Sequence, residues 1–282
     1  MRLRTLAVLT VVALLSACTA IERAAVPKAD PRADVFPTQF AQPPGQAVDH
    51  RPWSTFLSRF VRRDADDVNR VDYATVSKSD RETLDRYLAT LQQVRPHRLT
   101  REQQLAFWIN LYNALTVDQV LDAYPVASIR DINDGLLSIG PWDRPVAQVA
   151  GQSLSLNDIE HRIIRPDYAE PRIHYALNCA AVGCPNLMPR AWQAATLDVD
   201  LAEAEHAYVH DRRGVRFDGQ GRLIVSKTYA WFREDFADTP AGVLDYLRSV
   251  ADPELKARLD AVSRISRYDY DWALNDRSLR QK

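Results

Sequence analysis

The stretch that decides the fold is "REQQLAFWINLYNALTVDQVLDAYP", Arg101–Pro125. Thr100 stands just ahead of it and Gln103 follows three residues later. At that spacing the two side chains can each take one of the N–H groups that a helix start leaves unpaired. Leu105, Trp108 or Ile109, Tyr112, Leu115 or Thr116, and Val120 then recur at helical spacing. Pro125 ends the run, because proline has no N–H to give. Through its middle the helix is apolar nearly all round. A helix without a polar face belongs inside a domain, so this one is predicted at the centre.

The flanking sequence supplies what would pack on it. "PWSTFLSRFVRR" places Trp53, Phe56, Leu57 and Phe60 on one helical face. "VNRVDYATV" reads as a short strand or an extended turn. "DRETLDRYLATLQQV" is an amphipathic helix that must end by Pro96. After the central helix, "RPVAQVAGQSLSLNDIEHRIIR" reads as strand, turn at Gly151, strand, and a helix capped near Ser155 or Asn157 and ending at Pro166. "TLDVDLAEAEHAYVHD" is a further helix closed by Gly214, and "VRFDGQGRLIVS" is a hairpin around Asp218-Gly219. "PAGVLDYLRSVA" and "PELKARLDAV" are two more helices, and "RISRYDYDWALN" is a strand or extended tail. Strands are few and do not alternate with helices. The predicted fold is therefore α+β: a helix-rich single domain around a central buried helix, with a small, mainly antiparallel sheet.

The chain has 282 residues and opens with "MRLRTLAVLTVVALLSACTA". Arg2 and Arg4 precede an apolar run, Leu6 to Leu15, that is too short to span a bilayer. "LSAC", Leu15–Cys18, resembles the bacterial lipobox, after which the signal peptide is cleaved and the cysteine is acylated. Several acyl chains give firm anchoring, since each buried methylene adds roughly 0.8 kcal/mol. Residues 1–17 are read as a lipoprotein signal peptide with Cys18 as the lipidation site. Thr19 follows Cys18, where an aspartate would favour retention in the inner membrane. The expected location is the cell envelope, on the outer membrane and facing the periplasm. Residues 18–49 carry Pro27, Pro31, Pro37, Pro43 and Pro44 and read as a stiff, extended tether. Val35, Phe36 and Phe40 are the side chains that could dock it. Residues 50–275 form the globular part, with all six tryptophans, and 276–282 a polar tail. Loss of Arg2 and Arg4 takes the formal charge from −1 to −3, too nearly neutral to provide a field for nucleic acid.

Five blocks, "FWINLYNALTV", "SLNDIEHRIIR", "RIHYALNCAAVGCPNL", "VSKTYAWFREDF" and "YDYDWALN", stand in order between Phe107 and Asn275. In these the chain resembles the bacterial proteins of domain-of-unknown-function family 547. The resemblance implies a secreted or lipid-anchored protein and no particular reaction. Plant relatives carry the domain beside a coiled coil, often with serine at the second cysteine position.

Chemistry concentrates in "HYALNCAAVGCPNL", His174–Leu187. With Cys18 taken by lipid, Cys179 and Cys184 remain as an even pair in an oxidising compartment, where a disulfide is expected. It would close a small loop and pin one turn, worth about 2 kcal/mol by chain entropy. The competing reading makes Cys179 a nucleophile in a hydrolase or acyltransferase, with His174 or His161 as base. On a helix His174 would lie about 140° round from Cys179, and Glu160 does not face its neighbour His161. Asn110 and Asn113, three residues apart on the central helix, could orient an imidazole or donate to an oxyanion; equally, they and Asn178 could satisfy loop backbone. His206 and His210 have metal-capable spacing but no third ligand nearby. Glu234, Asp235, Asp269 and Asp271 read as partners for Arg172 or Arg264. There is no phosphate loop, G-x-S-x-G elbow or H-E-x-x-H motif, so neither cofactor nor metal is expected. The expected partners are the membrane, through the anchor, and an envelope protein or peptide.

Overall fold

The computed structural model describes residues 22–24, 26–30, 39–132 and 140–281. Residues 1–17, read above as a signal peptide, and Cys18, Val35 and Phe36 lie outside them. The chain divides into two compact units, a larger one of residues 29–205 and 271–282 and a smaller one of residues 1–28 and 206–270.

In the larger unit, helix α1 (Arg51–Phe60) buries Trp53, Phe56, Leu57 and Phe60, the face its spacing predicted. Strands β1 (Val61–Arg63) and β2 (Asn69–Val71) pair antiparallel, so the ambiguous "VNRVDYATV" is a strand in its first half. Helix α2 (Lys78–Gln92) starts on a Ser77–Asp80 capping box and buries Leu84, Tyr87, Leu88 and Leu91. Helix α3 (Arg101–Ala123) is the predicted central helix. Thr100 and Gln103 form the expected box: the Gln103 N–H donates to Thr100 Oγ1 at 3.3 Å, and the Thr100 N–H donates to Gln103 Oε1 at 2.9 Å. Every residue from Gln104 to Val117 is buried. Each large apolar side chain withdrawn from water contributes roughly 1.5–3 kcal/mol, which gives this helix the largest share of the core. Gln104 is polar but satisfied: its amide donates to the Pro96 and Gln39 carbonyls, and Tyr168 donates to it.

Strands β3 (Ala147–Val149) and β4 (Gln152–Leu154) form the hairpin turned at Gly151. The next helix departs from the expectation. Ser155 does cap it, taking the Asp158 N–H at 3.1 Å. However, Asp158–Ile164 winds as a wide π-helix, in which Arg165 N–H reaches back five residues to Glu160. The helix then continues past Pro166 as α4 (Arg165–Tyr168). Pro166 sits in the first turn of that continuation, where its missing N–H costs least.

Residues 39–48 have no helix or strand, and they are docked. The Ala41 and Gln46 N–H groups donate to the Leu99 and Arg98 carbonyls, and Phe40 packs 5.9 Å from the Tyr168 ring. The polar tail is likewise held at its start. Arg277 N–H donates to Val71, and Tyr124 donates its hydroxyl to buried Asp276.

Helix α5 (Leu197–Val209) follows the expected "TLDVDLAEAEHAYV". In the smaller unit its last turn is closed at Gly214, where a Cβ would stand 2.0 Å from the Tyr208 carbonyl oxygen. Strands β5 (Val215–Phe217) and β6 (Leu223–Ser226) are the predicted hairpin. Strand β7 (Arg267–Asp269), from the doubtful tail, adds to β6 in parallel, so this sheet is mixed. Short helices α6 (Thr228–Trp231) and α7 (Arg233–Phe236) precede the expected α8 (Pro240–Val250) and α9 (Pro253–Asp260). Tyr208 donates to Ser226 and Ser226 to Thr228, a chain of three buried hydroxyls.

Taken together, the elements are helix-rich α+β with small, mostly antiparallel sheets. Among the described residues no helix is long and apolar enough to cross a membrane.

Candidate functional site: a loop held by buried amides

The loop 174–187 carries the cysteines. It follows a short 3-10 turn, Pro171–Tyr175, and has no regular structure of its own. Nearly all of it is buried, so its backbone groups need partners other than water. Side chains provide them. Asn113, on α3, donates to the Ala176 carbonyl at 2.9 Å and accepts the Asn178 N–H at 2.8 Å. Asn178 in turn donates to the Pro185 carbonyl at 2.8 Å and accepts the Ala180 N–H at 2.9 Å. That last bond supports Ala180 at φ 58°, a left-handed conformation that is costly for alanine. Asn275 donates to Asn178 Oδ1 at 3.3 Å and accepts the Tyr73 hydroxyl at 2.9 Å. Burial pushes the Tyr73 phenol far above its ordinary range, so it stays a donor.

The chain's end completes the seat. Val182 and Gly183 donate to the Ala273 and Asp271 carbonyls, each at 2.8 Å. Asn275 N–H donates to Ala180 at 2.9 Å, and Val71 N–H donates to Asn275 at 2.8 Å. Residues 271–276 thus run between the cysteine loop and β2. Four of the five blocks picked out in the sequence contribute to the larger unit around this loop.

The sequence candidates fall into separate clusters. Asn110 is clamped on another segment, donating to the Trp192 carbonyl at 2.9 Å and accepting its N–H at 3.0 Å. Both Asn110 and Asn113 therefore spend each end of their amide on backbone. His174 is buried with its Nδ1 3.9 Å from Glu160 Oε1, a separation for charge interaction but not for a hydrogen bond. Glu160, set aside as a partner for its sequence neighbour, thus faces His174 instead. His161 is buried with Nδ1 3.1 Å from Arg165 Nη1, and its carbonyl accepts the Asp30 N–H. Arg165, buried beside His161 and bonded through its N–H to the Glu160 carbonyl, is not among the sequence candidates. Its spacing of four from His161 was the only signal.

Cys179 and Cys184 stand at disulfide distance, with Cα atoms 6.4 Å apart. Cys179 is half-buried and Cys184 only 2% exposed. The Cys179 N–H points at Cys184 Sγ, 3.1 Å away.

Several expected pairings are replaced. Arg172 binds Glu170 and Asp198, not the carboxylates proposed for it, and Asp269 pairs with Arg216. Glu234 pairs with Arg23 at 3.1 Å. His206 and His210 stack with ring centroids 4.0 Å apart. His210 offers Nδ1–H to the His206 carbonyl at 2.7 Å and accepts the Asp252 N–H at 3.1 Å. Among the described residues no group of three or more His, Cys, Asp or Glu could hold a metal ion.

No curated protein and no solved structure matches the chain. A family model, described as "Protein of unknown function, DUF547", matches residues 96–209. That match takes in α3, the π-helix and the whole amide-held loop, and stops short of the resemblance traced to Asn275. The matched stretch is less than half of the chain, and over it the chain is similar to the DUF547 family.

Proposed function

We propose that this chain is a lipid-anchored envelope protein that serves as a periplasm-facing binding or assembly module, with Cys179 and Cys184 joined in a disulfide. The observation that carries the reading is that the candidate catalytic amides are already committed. Asn110 and Asn113 each hold backbone through both ends. With its carbonyl oxygen and one N–H fixed on backbone, each amide is locked in the orientation that supports the buried segments, which is the work of a structural residue. The His174 side chain is 1% exposed, and the sulfurs stand at disulfide distance. The anchor rests on Arg2, Arg4, the Leu6–Leu15 run and "LSAC".

A second reading is favoured by one contact. Glu160 beside His174 is the arrangement by which a carboxylate orients a base. It would make Cys179 the nucleophile of a hydrolase or acyltransferase.

One preparation tests both. The full chain is expressed with its leader in a two-membrane bacterium fed labelled palmitate, then purified without reductant and alkylated. Expected are label on the wild type, its loss and release to the soluble fraction in Cys18→Ser, and two cysteines alkylated only after reduction. Membrane retention of an unlabelled Cys18→Ser protein overturns the anchor. Two free thiols, one reacting fast near neutral pH, overturn the module in favour of the hydrolase.

A further inference from the structure

We infer that Cys179 and Cys184 are a redox couple that exchanges with an external protein dithiol, with Cys179 as the sulfur attacked and Cys184 as the leaving thiolate. This rests on the reading that the two are bonded.

As a clip the bond is redundant. The Asn178 side-chain amide to the Pro185 carbonyl, at 2.8 Å, closes the same loop one residue outside the sulfurs on each side. Val182 and Gly183 are independently tied to Ala273 and Asp271, and Asn178 itself is held by Asn113. Breaking the sulfur–sulfur bond leaves all of these in place, so the pair can open and close within the folded chain.

The two sulfurs are also unequal. Cys179 is half-buried and Cys184 is 2% exposed. An attacking thiolate must approach a disulfide sulfur directly, and of the two residues Cys179 is the more exposed. The leaving side is prepared as well. The Cys179 N–H, 3.1 Å from Cys184 Sγ, donates to the negative charge that would develop there. A hydrogen bond to the charged form lowers a thiol's pKa, and a lower pKa makes a better leaving thiol.

The exchange balances in two steps. A thiolate of the partner bonds to Cys179 Sγ, the Cys179–Cys184 bond breaks, and its electron pair goes to Cys184 as thiolate. The partner's second thiolate then attacks its own sulfur in the mixed disulfide and releases Cys179 as thiolate. Both cysteines take up protons equal to those the partner's thiols gave up. The partner dithiol is oxidised to a disulfide by two electrons and this chain's disulfide is reduced by two. A dithiol partner makes the second step intramolecular, which a monothiol cannot do.

The test uses the full chain purified without reductant. Dithiothreitol is added in native buffer, followed by alkylation and mass measurement. Both cysteines should become alkylatable while near-UV circular dichroism is unchanged and Tm moves by only a few degrees. In Cys184→Ser, oxidised glutathione should form a mixed disulfide at Cys179 near neutral pH. In Cys179→Ser, Cys184 should react at least about tenfold more slowly, because it is covered. A pair that dithiothreitol reduces only once denaturant unfolds the chain overturns the inference, as does Cys184 reacting as fast as Cys179. Two free thiols before any reductant overturn the bonded pair itself, an outcome separate from failed exchange.

Discussion

The central helix α3 and the loop 174–187 are buried to similar depth and held by opposite means. The helix satisfies its own backbone turn by turn and caps its start with Thr100 and Gln103. The loop satisfies almost none of its own backbone. It borrows an amide from Asn113, another from Asn275, and carbonyls from residues 271–273. A helix residue can therefore change without orphaning its neighbours, whereas a loop support cannot. The difference bears on function too: side chains that look like catalytic equipment in the sequence are what allow an irregular segment to be buried at all.

The largest effect should come from Asn113→Ala. It leaves the buried Asn178 N–H and Ala176 carbonyl without partners, at about 1–3 kcal/mol each, so a loss of about 4 kcal/mol is expected. The next-door change Ala114→Gly, within the helix, should cost only about 1 kcal/mol. Urea unfolding of the two variants checks the comparison directly. Equal losses would mean that the amide is not what holds the loop.

The comparison also predicts where pH acts. The loop's holders are neutral amides, but α3 carries Asp118, whose carboxyl burial pushes up to about 6 despite Arg81 at 3.1 Å. The folded pKa lies above the ordinary value of 3.8. The proton-bound form therefore favours folding: this contribution is complete below about pH 4 and is lost as pH rises through about 6. About 3 kcal/mol should depend on this group across that window. Asp118→Asn should flatten that part of the stability–pH curve, measured by urea midpoint between pH 4 and 7. An unchanged slope would remove Asp118 as its source.

How much of this was legible follows from the same contrast. The caps and stripes of α1, α2 and α3 lie within a few residues of one another, so the sequence displays them. The hairpin at Asp218-Gly219 is local in the same way. By comparison, the bond from Asn178 to Asn113 spans 65 residues and that to Asn275 spans 97. No periodicity links such positions, and each asparagine alone could equally have been an oxyanion donor. Helical spacing turns Glu160 away from His161, as the structure has it, but says nothing of what it turns toward; its neighbour His174 lies fourteen residues on, beyond the π-helix and a 3-10 turn. Pro166 was read as a stop because proline usually is one, yet it serves here in a first turn.

The smallest effect is expected at the cysteines, and it is the most discriminating. A disulfide closing so short a loop is worth about 2 kcal/mol if nothing else constrains the loop in the unfolded chain or the folded one. In this protein the folded loop is already fixed by Asn178, and the Cys179 N–H that loses Cys184 Sγ as its partner belongs to a half-exposed residue. The double variant Cys179→Ala/Cys184→Ala should therefore lose at most about 2 kcal/mol, roughly half the loss expected for Asn113→Ala. Thermal and urea unfolding of the three proteins, purified side by side, would rank them. If the cysteine pair proves more costly than Asn113, the loop is held by its covalent bond and the amides are secondary. If it proves cheaper, the loop stands on hydrogen bonds from distant segments, and the sulfurs are left free to serve chemistry instead of architecture.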